Sequence, residues 1–138
     1  GDGGIQINIQ ELDTIVRHRL PIIIFIMNNS CLGMVRQFQE MYFDGRVQST
    51  VIGYGCPNIK EIARAYGLIV FTITNIEESE SIIRQALAAD SPVLVDVKLP
   101  QKTFVDPKLV VNRPIEDMSP HLDREELKKI MLIDLVEE

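Results

Sequence analysis

Apolar positions in the first hundred residues recur with helical spacing in some segments and form short continuous runs in others. Helical spacing predicts a helix with one buried face from Ile7 to His18. Further helices are predicted from Gly33 to Tyr42, from Ile59 to Tyr66, where Gly67 would end the helix, and from Glu77 to Ala89. Four helices are therefore expected before residue 100.

Three apolar runs that alternate with these helices predict strands. Leu20 to Met27 is continuous and rich in Ile, which is typical of a strand covered on both faces of a parallel sheet. Leu68 to Ile73 and Pro92 to Val97 are shorter runs of the same kind. Strands that alternate with helices indicate β-α-β units. The predicted fold class is α/β, with an open, mostly parallel sheet and helices on both faces.

The pattern changes after Leu99. Prolines recur at positions 100, 107, 114 and 120, and a short helix is predicted from Asp123. We predict an α/β domain over residues 1–99 and a tail over residues 100–138 whose short helix packs on the same domain. The chain does not begin with Met, and its first residues would follow a buried strand. We therefore expect a fragment of a longer polypeptide, truncated on the N-terminal side of the sheet.

Composition narrows the class of protein. The chain has 138 residues, of which 46% are apolar, and a net charge of -6 from 14 basic and 20 acidic residues, so no nucleic-acid partner is expected. Cys31 and Cys56 show no metal-ligand or disulfide spacing, which fits a reducing cytosol. The apolar runs are much shorter than the roughly 20 residues that span a bilayer. We expect a cytoplasmic protein with no membrane partner.

Polar residues follow two of the predicted strands at their carboxyl ends. The chain opens with Gly-Asp-Gly-Gly, and the Ile-rich run ends in Asn28-Asn29. Asp2 and Asn29 offer the oxygen ligands that Mg²⁺ prefers beside phosphate oxygens and water. The glycines would precede a helix, and their N–H groups can approach a diphosphate closely. The alternative is that both segments are only turns, with Asp2 as a helix cap.

These residues resemble a known family. The motif at positions 1–3 together with Asn28-Asn29 is similar to the thiamine-diphosphate-binding motif. Residues 28–39 resemble the large catalytic subunit of acetolactate synthase, also called acetohydroxyacid synthase. The similarity continues through residues 63–67, 92–94 and 114–120 and so covers nearly the whole chain.

The resemblance implies a set of site residues. Asp2 and Asn29 would ligate Mg²⁺ through their side chains, and Cys31 would ligate it through its backbone carbonyl. Residues in contact with thiamine diphosphate and its metal would be Gly1, Asp2, Gly3, Gly4, Asn29, Cys31, Leu32, Gly33 and Met34. None of these would be a catalytic acid or base. In the family a glutamate in the N-terminal domain of a partner subunit activates the ring, and that glutamate is not in this chain.

The resemblance also implies an activity and partners. Enzymes of this family decarboxylate pyruvate and condense it with a second 2-oxo acid, a step of branched-chain amino acid biosynthesis. It implies a homo-oligomer whose active site is shared between subunits, a possible regulatory subunit, and possible FAD in the full-length protein. Phe38 stands where many acetohydroxyacid synthases have Trp. The acceptor therefore stays open, and an acetolactate-synthase-like lyase or transferase with another carbonyl acceptor is the alternative.

Two further readings remain. A nicotinamide-dependent oxidoreductase would need G-x-G-x-x-G, but Gln6 occupies the last glycine position. The isolated fragment would have no activity of its own and would tend to self-associate, because a truncated sheet leaves unpaired backbone and apolar surface. The resemblance implies that Met34 and Phe38 lie toward the substrate channel, and the alternative is that they serve ordinary helix packing. Arg36 is expected at the surface, with pairing to a substrate carboxylate as the alternative.

Overall fold

The computed structural model describes residues 1–136 and divides the chain into two compact units. The first is Gly1–Thr103 and the second begins at Phe104. The packing of the predicted tail on the α/β domain stays a prediction, and the last two tail residues, Glu137 and Glu138, lie outside the described residues. Between residues 1 and 136, no helix is both long and apolar enough to cross a bilayer.

The first unit alternates helices and strands. Its elements are α1 (Asp2–Ile5), a 3-10 turn (Gln6–Asn8), α2 (Glu11–Arg17), β1 (Ile23–Asn28), α3 (Gly33–Tyr42), α4 (Ile59–Tyr66), β2 (Ile69–Ile73), α5 (Ser79–Leu87) and β3 (Val93–Lys98). The strands form one sheet in the order β1-β3-β2, and both strand pairs are parallel. Ile23 and Ile69 both lie beside Val93, so the carboxyl ends of all three strands meet at one edge. The predicted α/β fold with a parallel sheet is confirmed.

Helices cover both faces of this sheet. On one face α2 and α4 pack against β1 and β3 through a buried cluster of Leu12, Ile26, Ile59, Ala63, Leu68 and Leu94. On the other face α5 closes a smaller cluster of Ile73, Ala86, Val93 and Val95. Successive side chains of β3 point to opposite faces of the sheet, so Leu94 belongs to one cluster and its neighbours Val93 and Val95 belong to the other.

The prediction that the Ile-rich strand is covered on both faces is wrong for the described chain. Phe25 and Met27 are 41% and 49% exposed, whereas Ile26 between them is buried. The reason is the position of β1 at the edge of the sheet. On the face of Phe25 and Met27 the covering helix is α5, which contacts β2 at the opposite edge.

The predicted bounds of α3 and α4 are confirmed, and those of the first helix are wrong. Gly67 follows α4 at a φ of +95°, as a helix-ending glycine does. The segment predicted as one helix from Ile7 to His18 is instead broken, and helical structure begins earlier, at Asp2. The break is a stretch of 3-10 geometry, in which Leu12 N–H donates to the Ile9 carbonyl three residues back.

The second unit contains β4 (Lys108–Leu109), β5 (Met118–Ser119) and α6 (Arg124–Ile130). The two strands pair antiparallel. The side chain of Asp123 accepts hydrogen bonds from the N–H groups of Glu125 and Glu126, which confirms the predicted helix start.

Replacement of Gly67 tests the left-handed helix end. Gly67→Ala is expected to lower the free energy of unfolding by about 1–2 kcal/mol, because Ala at positive φ is strained. Gly55→Ala is the matched control, since a Cβ there meets open space and should change stability by less than about 0.5 kcal/mol. Urea unfolding followed by circular dichroism measures both. Equal free energies of unfolding for Gly67→Ala and Gly55→Ala would contradict a left-handed helix end at Gly67.

Candidate functional site

Asp2 is a buried carboxylate at the carboxyl edge of the sheet. It is the first residue of α1 and is 1% exposed. The hydroxyl of Tyr54 donates a hydrogen bond of 2.7 Å to its Oδ2. Its Oδ1 is also buried, and no group in residues 1–136 donates to it. Buried carboxylate oxygens are costly without a partner, so this atom is suited to a bound cation.

Asn29 is the first residue after β1, on the same edge. Its Nδ2 lies against Gly33, where an added Cβ would come within 2.4 Å of it. A side chain at position 33 would therefore have to displace the Asn29 amide. Within the described residues the Asn29 side chain has no hydrogen-bond partner, and its oxygen is available to a ligand.

Asn28, the preceding residue, has a structural role instead. Its Nδ2 donates to Oδ1 of Asp96 at 2.9 Å, and its Oδ1 accepts from the N–H of Ser30 at 3.2 Å. Asp96 is buried in β3, and its other oxygen lies 2.7 Å from Nζ of Lys98. This network holds the end of β1 and so sets where Asn29 leaves the strand.

Sequence reasoning missed Asp96. The available signal was a single charge inside the apolar run of β3, because buried carboxylates in a central strand must be paired. Its partner Asn28 could not be found the same way, since the two residues are 68 positions apart.

A pocket of about 290 Å³ opens at this edge. Its lining includes all nine residues predicted to contact the cofactor: Gly1, Asp2, Gly3, Gly4, Asn29, Cys31, Leu32, Gly33 and Met34. Met27 and Val35 complete the lining. The structure thus brings the predicted residues together, and their roles as ligands stay predictions.

The two glycine segments reach the pocket differently. Gly33 begins α3, a ten-residue helix whose start has no side-chain cap, so its first N–H groups can face an anion. Gly3 and Gly4 were expected to precede a helix, but they lie inside the four-residue α1. A Cβ at position 3 would lie 2.5 Å from Cδ2 of Leu32, so a larger residue there would have to displace the Leu32 side chain.

The outward side of α3 is apolar. Met34 is 57% exposed, and Phe38, Met41 and Tyr42 are exposed as well. The expectation that Arg36 lies at the surface is wrong, since it is buried and its Nη2 donates to the Thr103 carbonyl at 2.9 Å. The helix therefore turns its basic side chain inward and its apolar side chains outward.

The titratable groups beside Asp2 are held neutral. Burial, followed by the hydrogen bond to Asp2, raises the pKa of the Tyr54 phenol, which keeps its proton and acts as a donor. Burial also raises the pKa of the Cys31 and Cys56 thiols. Both cysteines are free. Among residues 1–136 no three His, Cys, Asp or Glu side chains cluster as a metal site.

Comparison with known families decides the assignment. Residues 1–97 match the thiamine pyrophosphate enzyme family through its C-terminal TPP binding domain. The chain belongs to this family. It is thus a thiamine-pyrophosphate-binding domain, and the nine pocket residues lie within the matched segment.

Curated relatives and a solved structure agree with this membership. The acetolactate synthase large subunit of Porphyra purpurea is 39% identical over 72% of this chain and 17% of its own length. Acetolactate synthase isozyme 3 large subunit of Escherichia coli K12 is 35% identical over 86% of this chain and 21% of its own. The chain therefore spans about a fifth of these relatives.

The solved structure is the thiamine diphosphate-dependent 4-hydroxybenzoylformate decarboxylase of Rhodococcus jostii RHA1. It matches with a TM-score of 0.67 and 25% identity. The match covers 75% of this chain and 19% of the decarboxylase.

Substitutions of the adjacent residues Asn28 and Asn29 should differ in their effect on stability. Asn28→Ala is expected to lower the free energy of unfolding of the metal-free protein by about 1–3 kcal/mol, because it deprives buried Asp96 of a donor. Asn29→Ala removes no hydrogen bond from the described structure and should cost less than about 0.5 kcal/mol. Urea titration measures both. A larger loss for Asn29→Ala than for Asn28→Ala would contradict these roles.

Proposed function

We propose that the chain is the cofactor-anchoring part of a thiamine-diphosphate-dependent carboligase, acetolactate synthase. The observation that carries the proposal is the buried Oδ1 of Asp2, which has no partner within residues 1–136 and belongs to the same pocket as Asn29 and the start of α3. A bare carboxylate would repel a diphosphate. A divalent cation between them reverses that repulsion, and the donors present suit Mg²⁺.

Each part of the pocket would have its own task. Asp2 and Asn29 would bind Mg²⁺ through side-chain oxygens and Cys31 through its backbone carbonyl. The Cys31 thiol is not needed for this, as it is turned to the Gln101 carbonyl at 3.6 Å. The N–H groups of Gly33 and Met34 would hold the diphosphate at the start of α3.

Bound thiamine diphosphate would supply the electron sink for decarboxylation of pyruvate. This chain would fix its diphosphate end and offset its charge, while the activating glutamate would come from another domain. The proposed reaction joins the two-carbon unit from pyruvate to a second 2-oxo acid.

A different carbonyl acceptor is the second candidate, and Phe38 favours it. Its ring packs at 4.7 Å from the ring of Tyr42 and 5.9 Å from that of Phe43. These three side chains form an exposed aromatic cluster beside a pocket lined by Phe38, Phe43 and Arg46. Their size and shape would select the acceptor.

The proposed assembly follows from the outward face of α3. Its exposed apolar side chains support contact with a second subunit of a homo-oligomer, with the active site shared between them. The relatives are named large subunits, which supports a separate regulatory subunit. FAD, where the full gene product binds it, is proposed to lie outside this chain. The proposed location is cytoplasmic.

Calorimetric titration of the full gene product with thiamine diphosphate tests the site. Binding is expected to require Mg²⁺ and to weaken at least about tenfold in Asp2→Ala and Asn29→Ala, because each removes a metal ligand. Asp90→Ala is the control for loss of a carboxylate outside the pocket, because Asp90 is exposed and precedes β3 at the amino ends of the strands. Unchanged binding in Asp2→Ala would refute the proposed site. A fluorescence change of reduced nicotinamide on mixing would revive the oxidoreductase reading.

Acetolactate production separates this chain from the whole enzyme. The full gene product is expected to form acetolactate from pyruvate, and the purified 138-residue chain is expected to form none, because it carries no activating glutamate. A colorimetric assay of decarboxylated acetolactate measures both. Turnover by the isolated chain would contradict the proposed division of the active site.

A further inference from the structure

The segment between α3 and α4, residues 43–58, is tied to the pocket at several points. Thr50 is buried, and its hydroxyl donates to Oε1 of Gln39 at 2.5 Å. The Thr50 carbonyl accepts from the N–H of Leu32 at 3.0 Å, one residue before α3. Gln39 also donates to the carbonyl of Gln48 at 3.2 Å. Two of these bonds reach Gln39 in the second half of α3 and one reaches Leu32 just before it, so the segment is held along α3.

This anchoring brings Tyr54 onto Asp2. The Tyr54 hydroxyl lies 3.4 Å from the place a Cβ would take on Gly3, and it donates at 2.7 Å to Oδ2 of Asp2. Cys56 adds a second contact from the same segment, its thiol lying 3.6 Å from the Asp2 carbonyl oxygen. Oδ2 of Asp2 is thus held by a hydrogen bond from Tyr54, which is 52 positions away in the chain.

We propose that Tyr54 is a positioning residue that restricts Asp2 to one metal-binding oxygen and thereby sets the preference of the site for Mg²⁺. The inference rests on the proposed function, since it concerns the same metal. Tyr54 occupies Oδ2, and the other oxygen, Oδ1, is the buried atom left for a cation. Tyr54 itself would not touch the metal or the cofactor.

Coordination chemistry gives this restraint a consequence. Mg²⁺ demands near-ideal octahedral geometry, whereas Ca²⁺ accepts six to eight oxygens and often takes a carboxylate through both. A carboxylate held at Oδ2 by a phenol offers the single oxygen that suits Mg²⁺. Freed from the phenol, it can turn and offer both oxygens, which benefits Ca²⁺. A hydrogen bond that served stability alone would not distinguish the two ions.

The test measures Mg²⁺ and Ca²⁺ dissociation constants of the full gene product at saturating thiamine diphosphate. Tyr54→Phe is expected to weaken Mg²⁺ binding by about tenfold, the scale seen when a group that orients a ligand is lost. Ca²⁺ binding should weaken by less than about threefold, so the Mg²⁺ preference falls. Tyr66→Phe is the matched control, because Tyr66 is the last residue of α4, packs against the core and lies outside the pocket lining.

The outcomes separate this inference from the proposed function. If Asp2→Asn leaves Mg²⁺ binding unchanged, the proposed site fails and the inference fails with it. If Asp2→Asn abolishes binding but Tyr54→Phe matches Tyr66→Phe, only the inference is overturned. If Tyr54→Phe weakens Mg²⁺ binding and Ca²⁺ binding equally, Tyr54 has only a structural role, and the inference is also overturned.

A second variant at position 54 keeps a hydrogen-bond donor to Asp2, and it tests the inference even if Tyr54→Phe does not fold. Incorporation of para-aminophenylalanine at position 54 retains an N–H donor where the hydroxyl stands. It is expected to preserve the Mg²⁺ preference of the unaltered protein. Loss of that preference despite the retained donor would overturn the inference.

Discussion

A buried carboxylate with one oxygen satisfied and the other left bare is the constraint around which this edge of the sheet is built. Asp2 receives the phenol of Tyr54 on Oδ2 and, within residues 1–136, nothing on Oδ1. Such an arrangement costs stability in the absence of a cation, and proteins retain costs of this kind at functional sites. Glycine at position 3 lets Leu32 approach, and glycine at position 33 does the same for Asn29. These segments approach closely because glycine has no side chain at these two positions.

The sheet and its two apolar clusters hold the edge in place. Parallel pairing of β1 with β3 aligns Asn28 with Lys98, and the buried Asp96 joins both. This network fixes the strand end from which Asn29 departs. Of the two neighbouring asparagines, Asn28 is held by hydrogen bonds within the protein, and Asn29 is the one proposed to bind a ligand. The same division applies to the two oxygens of Asp2.

The success of sequence reasoning depended on the range of the interactions. Helices α3 and α4 were predicted with their bounds, and α4 ends at a glycine whose signal is local. The pocket residues were predicted because a short motif carries them. The exposure of Phe25 was missed because it depends on which strand lies at the sheet edge. The contact of Tyr54 with Asp2 and that of Asp96 with Asn28 were missed because they span 52 and 68 positions, and no local pattern encodes such contacts.

Crystallography of the full gene product with thiamine diphosphate and Mn²⁺ tests the central claim most directly, because anomalous scattering locates the ion. A single Mn²⁺ is expected at about 2.1 Å from Oδ1 of Asp2 and from Oδ1 of Asn29, with Oδ2 of Asp2 still hydrogen-bonded to Tyr54. An ion that contacts neither oxygen, or one bound by both oxygens of Asp2, would contradict the claim.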